Sequence, residues 1–198
     1  PSLYIGYVGL SVPFAFALAG AIAKNFRDWL RGLRWWTLIA WFGLGVGLLL
    51  GMRWAYDVLG WGGYWGWDPV ENAGLLPWLT ATALLHCLIM MDEKRGFTDW
   101  AFLLSVFSYS LVILGTFITR SGLIQSVHAY TQSQIGWILL TGLILTVGIG
   151  LIVFFSRLDF FSSKKDFPSL FSRNGFFYLS NLLLVTLTFS ILLGTLLP

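Results

Sequence analysis

Residues 61–72 read Trp-Gly-Gly-Tyr-Trp-Gly-Trp-Asp-Pro-Val-Glu-Asn, which puts four aromatic rings, three glycines and two carboxylates into twelve positions. Flat apolar faces on a glycine-spaced backbone suit a flat apolar ligand, because glycine permits close backbone approach. His86 and His128 are the only two histidines in the chain. A neutral imidazole is a metal ligand through either ring nitrogen. Arg120 carries a planar cationic fork suited to a carboxylate. Stacking, axial ligation of an iron and pairing with an acidic side arm are therefore the chemistries that these residue types offer. Nothing in the sequence has the paired-carboxylate pattern of a hydrolase. No catalytic residue is assigned.

Each of these residues also has a plainer reading. Trp54, Trp61, Trp65, Trp67 and Trp78 fall within 25 residues, and tryptophan gathers at membrane–water interfaces. Trp54 and Trp78, at the expected ends of apolar runs, read as such belt residues. Trp61, Tyr64, Trp65 and Trp67 lie between the runs and read as a ligand platform. A helical turn there would bring 61, 64, 65 and 68 to one face, and rings on that face could also dip into the bilayer surface. Asp68, Pro69 and Glu71 read as a helix start, with Asp at the cap, Pro at the first position and Glu three residues after the cap. Arg120 could equally anchor a lipid phosphate.

The elements that must position these residues follow from composition. The chain has 198 residues, of which 57% are hydrophobic and 11% charged, against about 25% charged in a soluble domain. Six apolar runs, roughly 5–23, 36–56, 73–91, 100–119, 137–155 and 176–197, each reach the 20 or so residues that cross a bilayer. Backbone groups in lipid must be satisfied within the segment, so the fold class is all-α: a polytopic membrane bundle of six helices. Ten basic residues (Lys24, Arg27, Arg31, Arg34, Lys94, Arg95, Arg157, Lys164, Lys165 and Arg173) fall on one side of it, and Arg53 and Arg120 on the other. Positive residues stay cytoplasmic, which turns the Trp-rich loop and the His128 loop outward. The net charge of +3 thus reflects topology and not a nucleic-acid surface. The chain opens on Pro1 almost directly in a span, and we expect a piece of a larger membrane protein. The lone Cys87 excludes an internal disulfide or a Cys-x-x-Cys redox centre.

Depth separates the two histidines. His86 lies inside the third run, where an ionisable side chain is costly and usually functional. Thr82 is one turn before it, and the fourth run offers a facing stripe of Ser105, Ser108, Tyr109, Thr116 and Thr119. His86 reads either as an axial haem ligand or as a buried histidine bonded to a neighbouring helix. It sits roughly 20 Å below the outer surface at 1.5 Å per residue, whereas His128 is in an outward loop. Two axial nitrogens on one iron are only about 4 Å apart. The histidines therefore cannot share an iron. If both bind one, there are two sites, each needing a second ligand. The chain offers no third histidine and only Met52, Met90 and Met91 in principle, so the partners are expected beyond this segment.

The segment Trp61-Gly-Gly-Tyr-Trp-Gly-Trp-Asp-Pro-Val-Glu71 resembles the WWD signature of the haem-handling superfamily of cytochrome c assembly. Leu3-Tyr-Ile-Gly-Tyr-Val-Gly-Leu-Ser-Val-Pro-Phe-Ala-Phe16, Ala83-Leu-Leu-His86, Gly115-Thr-Phe-Ile-Thr-Arg-Ser-Gly122, Ser126-Val-His-Ala129 and Leu193-Gly-Thr-Leu-Leu-Pro198 narrow the resemblance to the F-subunit haem lyases of cytochrome c maturation. It covers essentially the whole of residues 1–198 as one membrane domain.

That resemblance implies a protein that receives haem from a periplasmic haem chaperone on its Trp-rich face and promotes attachment of the vinyl groups to apocytochrome c. The thiols come from the cytochrome. By position, His128 matches the second of two periplasmic histidines that hold the substrate iron, and His86 the first of two membrane histidines around a b-type haem. The other two would lie before Pro1 and after Pro198. Trp61, Tyr64, Trp65, Trp67, Asp68 and Arg120 complete the expected cofactor-binding set. Implied partners are the chaperone, apocytochrome c, other subunits of the assembly complex and the lipid bilayer, with no nucleic acid. The implied location is a bacterial inner membrane, with the mitochondrial inner membrane as the alternative. Two other functions compete: a haem transporter or exporter, which would favour internal repeats and broken helices, and a non-catalytic scaffold of the assembly complex.

Overall fold

Each long apolar run becomes a helix, and no strand occurs among the described residues. The computed structural model describes residues 2–60, 62–91, 97–121, 135–161 and 171–197. Its helices are α1 (Ser2–Gly9), α2 (Ser11–Ala23), α3 (Phe26–Val58), α4 (Pro69–Met90), α5 (Thr98–Ser121), α6 (Ile135–Ser156), α7 (Leu158–Phe161) and α8 (Arg173–Leu196). Among the described residues, six stretches, with α1 and α2 forming one, are long and apolar enough to cross a membrane.

Local chemistry explains the element boundaries. Pro13 has no N–H for the carbonyl four residues back, and α1 passes into α2 through Leu10 just before it. At the start of α3, the Asn25 side chain accepts from the Asp28 amide. The 33 residues of α3 extend about 50 Å, well past a hydrocarbon core of about 30 Å, so its basic first turns project from one end of the bundle. α4 starts at Pro69, four residues before the apolar run, because Asp68 and Glu71 form a capping box with Pro69 at the first position.

Successive long helices run antiparallel and give the bundle two ends. The loop between α3 and α4 and the last turns of α5 and α8 share the aromatic end, where Asn72 donates to Thr195 Oγ1 at 3.0 Å. The α2–α3 turn, the last turn of α4 and α7 share the basic end. There Arg34 reaches the last carbonyls of α4 and Lys24 pairs with Asp159.

α4 and α5 are the most buried long helices. Pro77 inside α4 leaves Ala73 O without its helical donor. α5 closes on that turn through Gly115, whose hydrogen leaves room that a Cβ would fill at 3.0–3.1 Å from Ala73. The largest buried cluster gathers Trp29, Leu33, Leu84, Leu88 and Phe102 towards the basic end, and Trp29 Nε1 donates to Ala17 O at 3.2 Å. α6 keeps Trp137, Ile138 and Ile152 exposed, as suits a helix in lipid.

Candidate functional site

The Trp-rich segment is not a helical turn. Residues 62–68 are bends and irregular backbone. Gly60 (φ +66), Gly62 (φ +71) and Trp67 (φ +57) all lie in the left-handed region, which breaks any 3.6-residue periodicity. Among the described residues, Tyr64 and Trp65 therefore do not share the face that a helical turn would give them. Tyr64 stacks on Tyr56 of α3, with centroids 4.5 Å apart and planes at 15°. Trp65 instead meets Trp67 edge-on at 6.2 Å and 85°. Trp61 and His128 lie outside the described residues.

The start of α4 holds this backbone in place. Glu71 Oε2 accepts from Gly66 N at 2.8 Å and from Asp68 N at 3.2 Å, while Asp68 Oδ1 accepts from Val70 N. Asn72 Nδ2 donates both to Trp67 O and to Thr195 Oγ1 of α8. A left-handed non-glycine residue costs about 1–2 kcal/mol. At Trp67 the side chains of Glu71 and Asn72 hold that conformation by satisfying both groups of the peptide that follows it and the amide of Gly66 before it. Glu71, read in sequence only as a cap, is thus also the clamp of the loop.

Beneath the loop is an apolar groove of 660 Å³ between α3 and α4. Trp65 and Trp67 stand at its aromatic end, and Phe42, Val46, Leu49, Met52 and Leu75 line its walls. Farther in, Trp41 stacks on Trp78 at 5.6 Å and 18°. Trp78 is therefore not a belt residue. Because α4 begins at Pro69, Trp78 lies well inside the helix, and its Nε1 sits against Gly45. Trp54, by contrast, is half-exposed near the end of α3.

His86 is a separate centre. From Pro69 to His86 is 17 residues, about 26 Å along α4, so His86 lies near the basic end. Its Nδ1 is 3.0 Å from Asn181 Oδ1 of α8, and its ring packs on Phe177 at 5.1 Å. The facing polar stripes expected from α4 and α5 do not meet around it. Thr82 accepts from Trp41 Nε1 at 2.8 Å, and Ser108 donates to Thr80. Ser105 and Thr116 donate to carbonyls of their own helix. Tyr109 stacks on Phe14, and Arg120 lies in the last turn of α5. No group of three or more His, Cys, Asp and Glu that could hold a metal occurs among the described residues.

Sequence reasoning missed Asn181, Arg34, Asn72 and Trp41. Asn181 carried a signal, since it is a polar side chain in the middle of an apolar run. The other three do their work by reaching a different helix, and no spacing rule finds that.

Six bilayer-length helices, a clamped aromatic loop over an apolar groove and one imidazole near the opposite end define an integral membrane protein with room for a flat apolar ligand. The sequence profile of the cytochrome C assembly protein family matches residues 1–128, and the chain belongs to that family. It is 47% identical over 200 residues to the cytochrome c-type biogenesis protein CcmF of Pseudomonas aeruginosa, covering 100% of this chain and 30% of that protein. CcmF of Escherichia coli is 44% identical over 200 residues, covering 100% of this chain and 31% of that protein. A solved structure of a cytochrome c heme lyase, CcmF, superposes with a TM-score of 0.79 at 36% identity, over 98% of this chain and 29% of that one. The chain spans under a third of the length of these relatives.

Proposed function

We propose that this chain is the haem-handling part of a cytochrome c haem lyase, set in a bacterial inner membrane with its aromatic end towards the periplasm. The observation that carries the reading is the Trp-rich loop, held by Glu71 and Asn72 at the mouth of an apolar groove, in a chain of the cytochrome c assembly family. The groove volume of 660 Å³ is within the range of about 300–1,000 Å³ usual for small-molecule sites. Its indole faces fit a planar macrocycle.

In this reading Trp61, Tyr64, Trp65 and Trp67 present faces to the substrate haem, with the Asp68 cap fixing the loop beside them. His128 supplies an axial imidazole, and Arg120 pairs with a propionate. A haem chaperone delivers the substrate, and apocytochrome c brings the thiols that add to the vinyl groups. The chain contributes binding, orientation and tuning, together with the other subunits of the assembly complex. His86 suits an axial ligand of a b-type haem, since Nδ1 is engaged by Asn181 while Nε2 has no hydrogen-bond partner among the described residues. Such a haem, when bound, keeps the substrate iron reduced.

The test is haem capture by the full-length protein with Trp65 and Trp67 both replaced by Ala. Each lost aromatic contact should weaken binding by about 0.5–1.5 kcal/mol beyond the area lost, read as faster loss of haem received from the loaded chaperone. Unchanged capture would favour a scaffold or a lipid anchor instead.

A further inference from the structure

His86 projects from α4, but two residues one turn apart on α8 hold its ring. Phe177 packs on the ring with centroids 5.1 Å apart and planes at 57°. Asn181, 3% exposed, places its amide oxygen 3.0 Å from Nδ1. The amide has a second anchor, because Asn181 Nδ2 donates to Cys87 Sγ at 3.2 Å, and Cys87 is fully buried. In this orientation the amide nitrogen faces the sulfur and the oxygen faces the imidazole. An amide oxygen only accepts, so in this orientation Nδ1 carries the proton and the lone pair is on Nε2. The ring is only half-buried and Nε2 has no hydrogen-bond partner among the described residues, which leaves it as the uncommitted nitrogen.

We propose that Asn181 is the positioning residue for His86: its amide oxygen fixes the Nδ1–H tautomer and the ring orientation that leave Nε2 for iron. The proposal rests on the reading of His86 as an axial haem ligand. Metal-ligating histidines commonly donate their second ring N–H to a carbonyl or carboxylate, which fixes the tautomer and raises ligand basicity. Cys87 serves only to orient the amide.

The experiment uses the full-length protein purified with its haem, and reads the absorption spectrum, the midpoint potential and the rate of haem loss. Asn181→Asp replaces a neutral acceptor with a stronger one. The haem spectrum should persist while the potential moves negative, as expected when an axial imidazole becomes more basic. Asn181→Leu keeps the bulk and removes the acceptor. Haem should then be held on the order of 10–100-fold less tightly, with a potential moved positive in whatever haem remains. A purely structural asparagine would change thermal stability without opposite shifts of potential in the two variants. Wild-type potential and retention in Asn181→Asp would overturn the proposal even if the Leu variant fails to fold. His86→Ala separates the two layers. If it leaves the haem signal intact, the ligand reading itself falls. If it abolishes the signal while the Asn181 variants behave as wild type, only the positioning role falls.

Discussion

The Trp-rich loop and the His86 neighbourhood are held by the same kind of device used in opposite ways. At the aromatic end the backbone is irregular, and side chains hold backbone: Glu71 takes the amides of Gly66 and Asp68, and Asn72 holds the carbonyl of Trp67. Around His86 the backbone is regular helix, and a side chain holds a side chain, Asn181 on Nδ1. Trp67 and Tyr64 of the loop are exposed, at 63% and 48%, and Trp65 is part-buried, whereas Asn181 is sealed. The difference fits the two tasks proposed for these regions. A surface that receives and releases a substrate can keep its rings mobile on a fixed backbone. A resident ligand must keep its own imidazole in one pose.

The largest expected effect comes from removing an imidazole at one end and not the other. His86→Ala in the full-length protein should abolish or displace the haem signal that co-purifies without the chaperone. His128→Ala should leave that signal intact and loosen haem delivered at the aromatic end. His86 lies about 26 Å along α4 from the aromatic end, and the sequence reading puts His128 in the loop at that end, so the two are expected to hold separate irons. Absorption spectra of each variant, prepared with and without the chaperone, decide the matter, and loss of the same spectral species in both would break the comparison.

Arg34 gives the next largest effect, on stability. Its Nε and Nη2 donate to Leu88 O at 2.8 and 2.6 Å, and Nη2 also to Met91 O at 2.6 Å. The terminal carbonyls of a helix otherwise lack donors, and a cation there also opposes the helix dipole. Arg34→Ala should cost about 1.5–3 kcal/mol, the range for hydrogen bonds from a charged group, read as a lower midpoint in thermal unfolding. Arg34→Lys should recover only part, since a single ammonium lacks the planar fork. Because α4 carries His86, the Arg34→Ala protein should also lose its co-purifying haem at a lower temperature than wild type.

A smaller loss is expected at the loop. Glu71→Ala removes the acceptor of two loop amides, and loss of a capping interaction costs about 0.5–2 kcal/mol. Hydrogen exchange at Gly66 and Asp68 should quicken while the amides around His86 keep wild-type protection. Glu71→Gln keeps an acceptor oxygen and should fall between the two. Faster exchange at both ends would mean that the loop and the His86 centre open together, which the comparison denies.

Much of this was legible in the sequence. The helices followed from apolar runs and bilayer length, and the α4 start from Asp68-Pro69 and Glu71. The depth of His86 in α4 followed from rise per residue, while His128 lies outside the described residues. The detail that depends on irregular backbone or on two helices meeting was not. Periodicity predicts a shared face for Trp61, Tyr64 and Trp65, but Gly62 and Trp67 take left-handed angles that periodicity does not encode. Thr82 and His86 share a face of α4, yet their partners come from α3 and α8. Trp78 passed for a belt residue because the apolar run starts four residues later than the helix does. For Thr82 and His86 the deciding atom belongs to an element distant in sequence; for the loop and Trp78 it is the local backbone.

The smallest effect is expected from the exposed pair at the basic end. Lys24 ends α2 in a left-handed conformation (φ +55) and pairs with Asp159 of α7. The Lys24 ammonium beside it holds the Asp159 carboxyl below the usual carboxylate range. A carboxyl whose folded pKa is depressed binds protons more readily when unfolded, so the pair stabilises the fold above the ordinary range. That contribution fades as pH falls through the lowered value. Comparing thermal unfolding of the wild type and Asp159→Asn from neutral pH down to about pH 2 should show a small wild-type advantage that closes below about pH 4. The same advantage should shrink in about 1 M salt, where the Debye length is only about 3 Å. The Leu88 and Met91 bonds of Arg34 are to uncharged carbonyls, so the Arg34→Ala deficit should persist under both conditions. If the Lys24–Asp159 contribution instead survived acid and salt, the basic end would be held by a less solvated ion pair than its exposure implies.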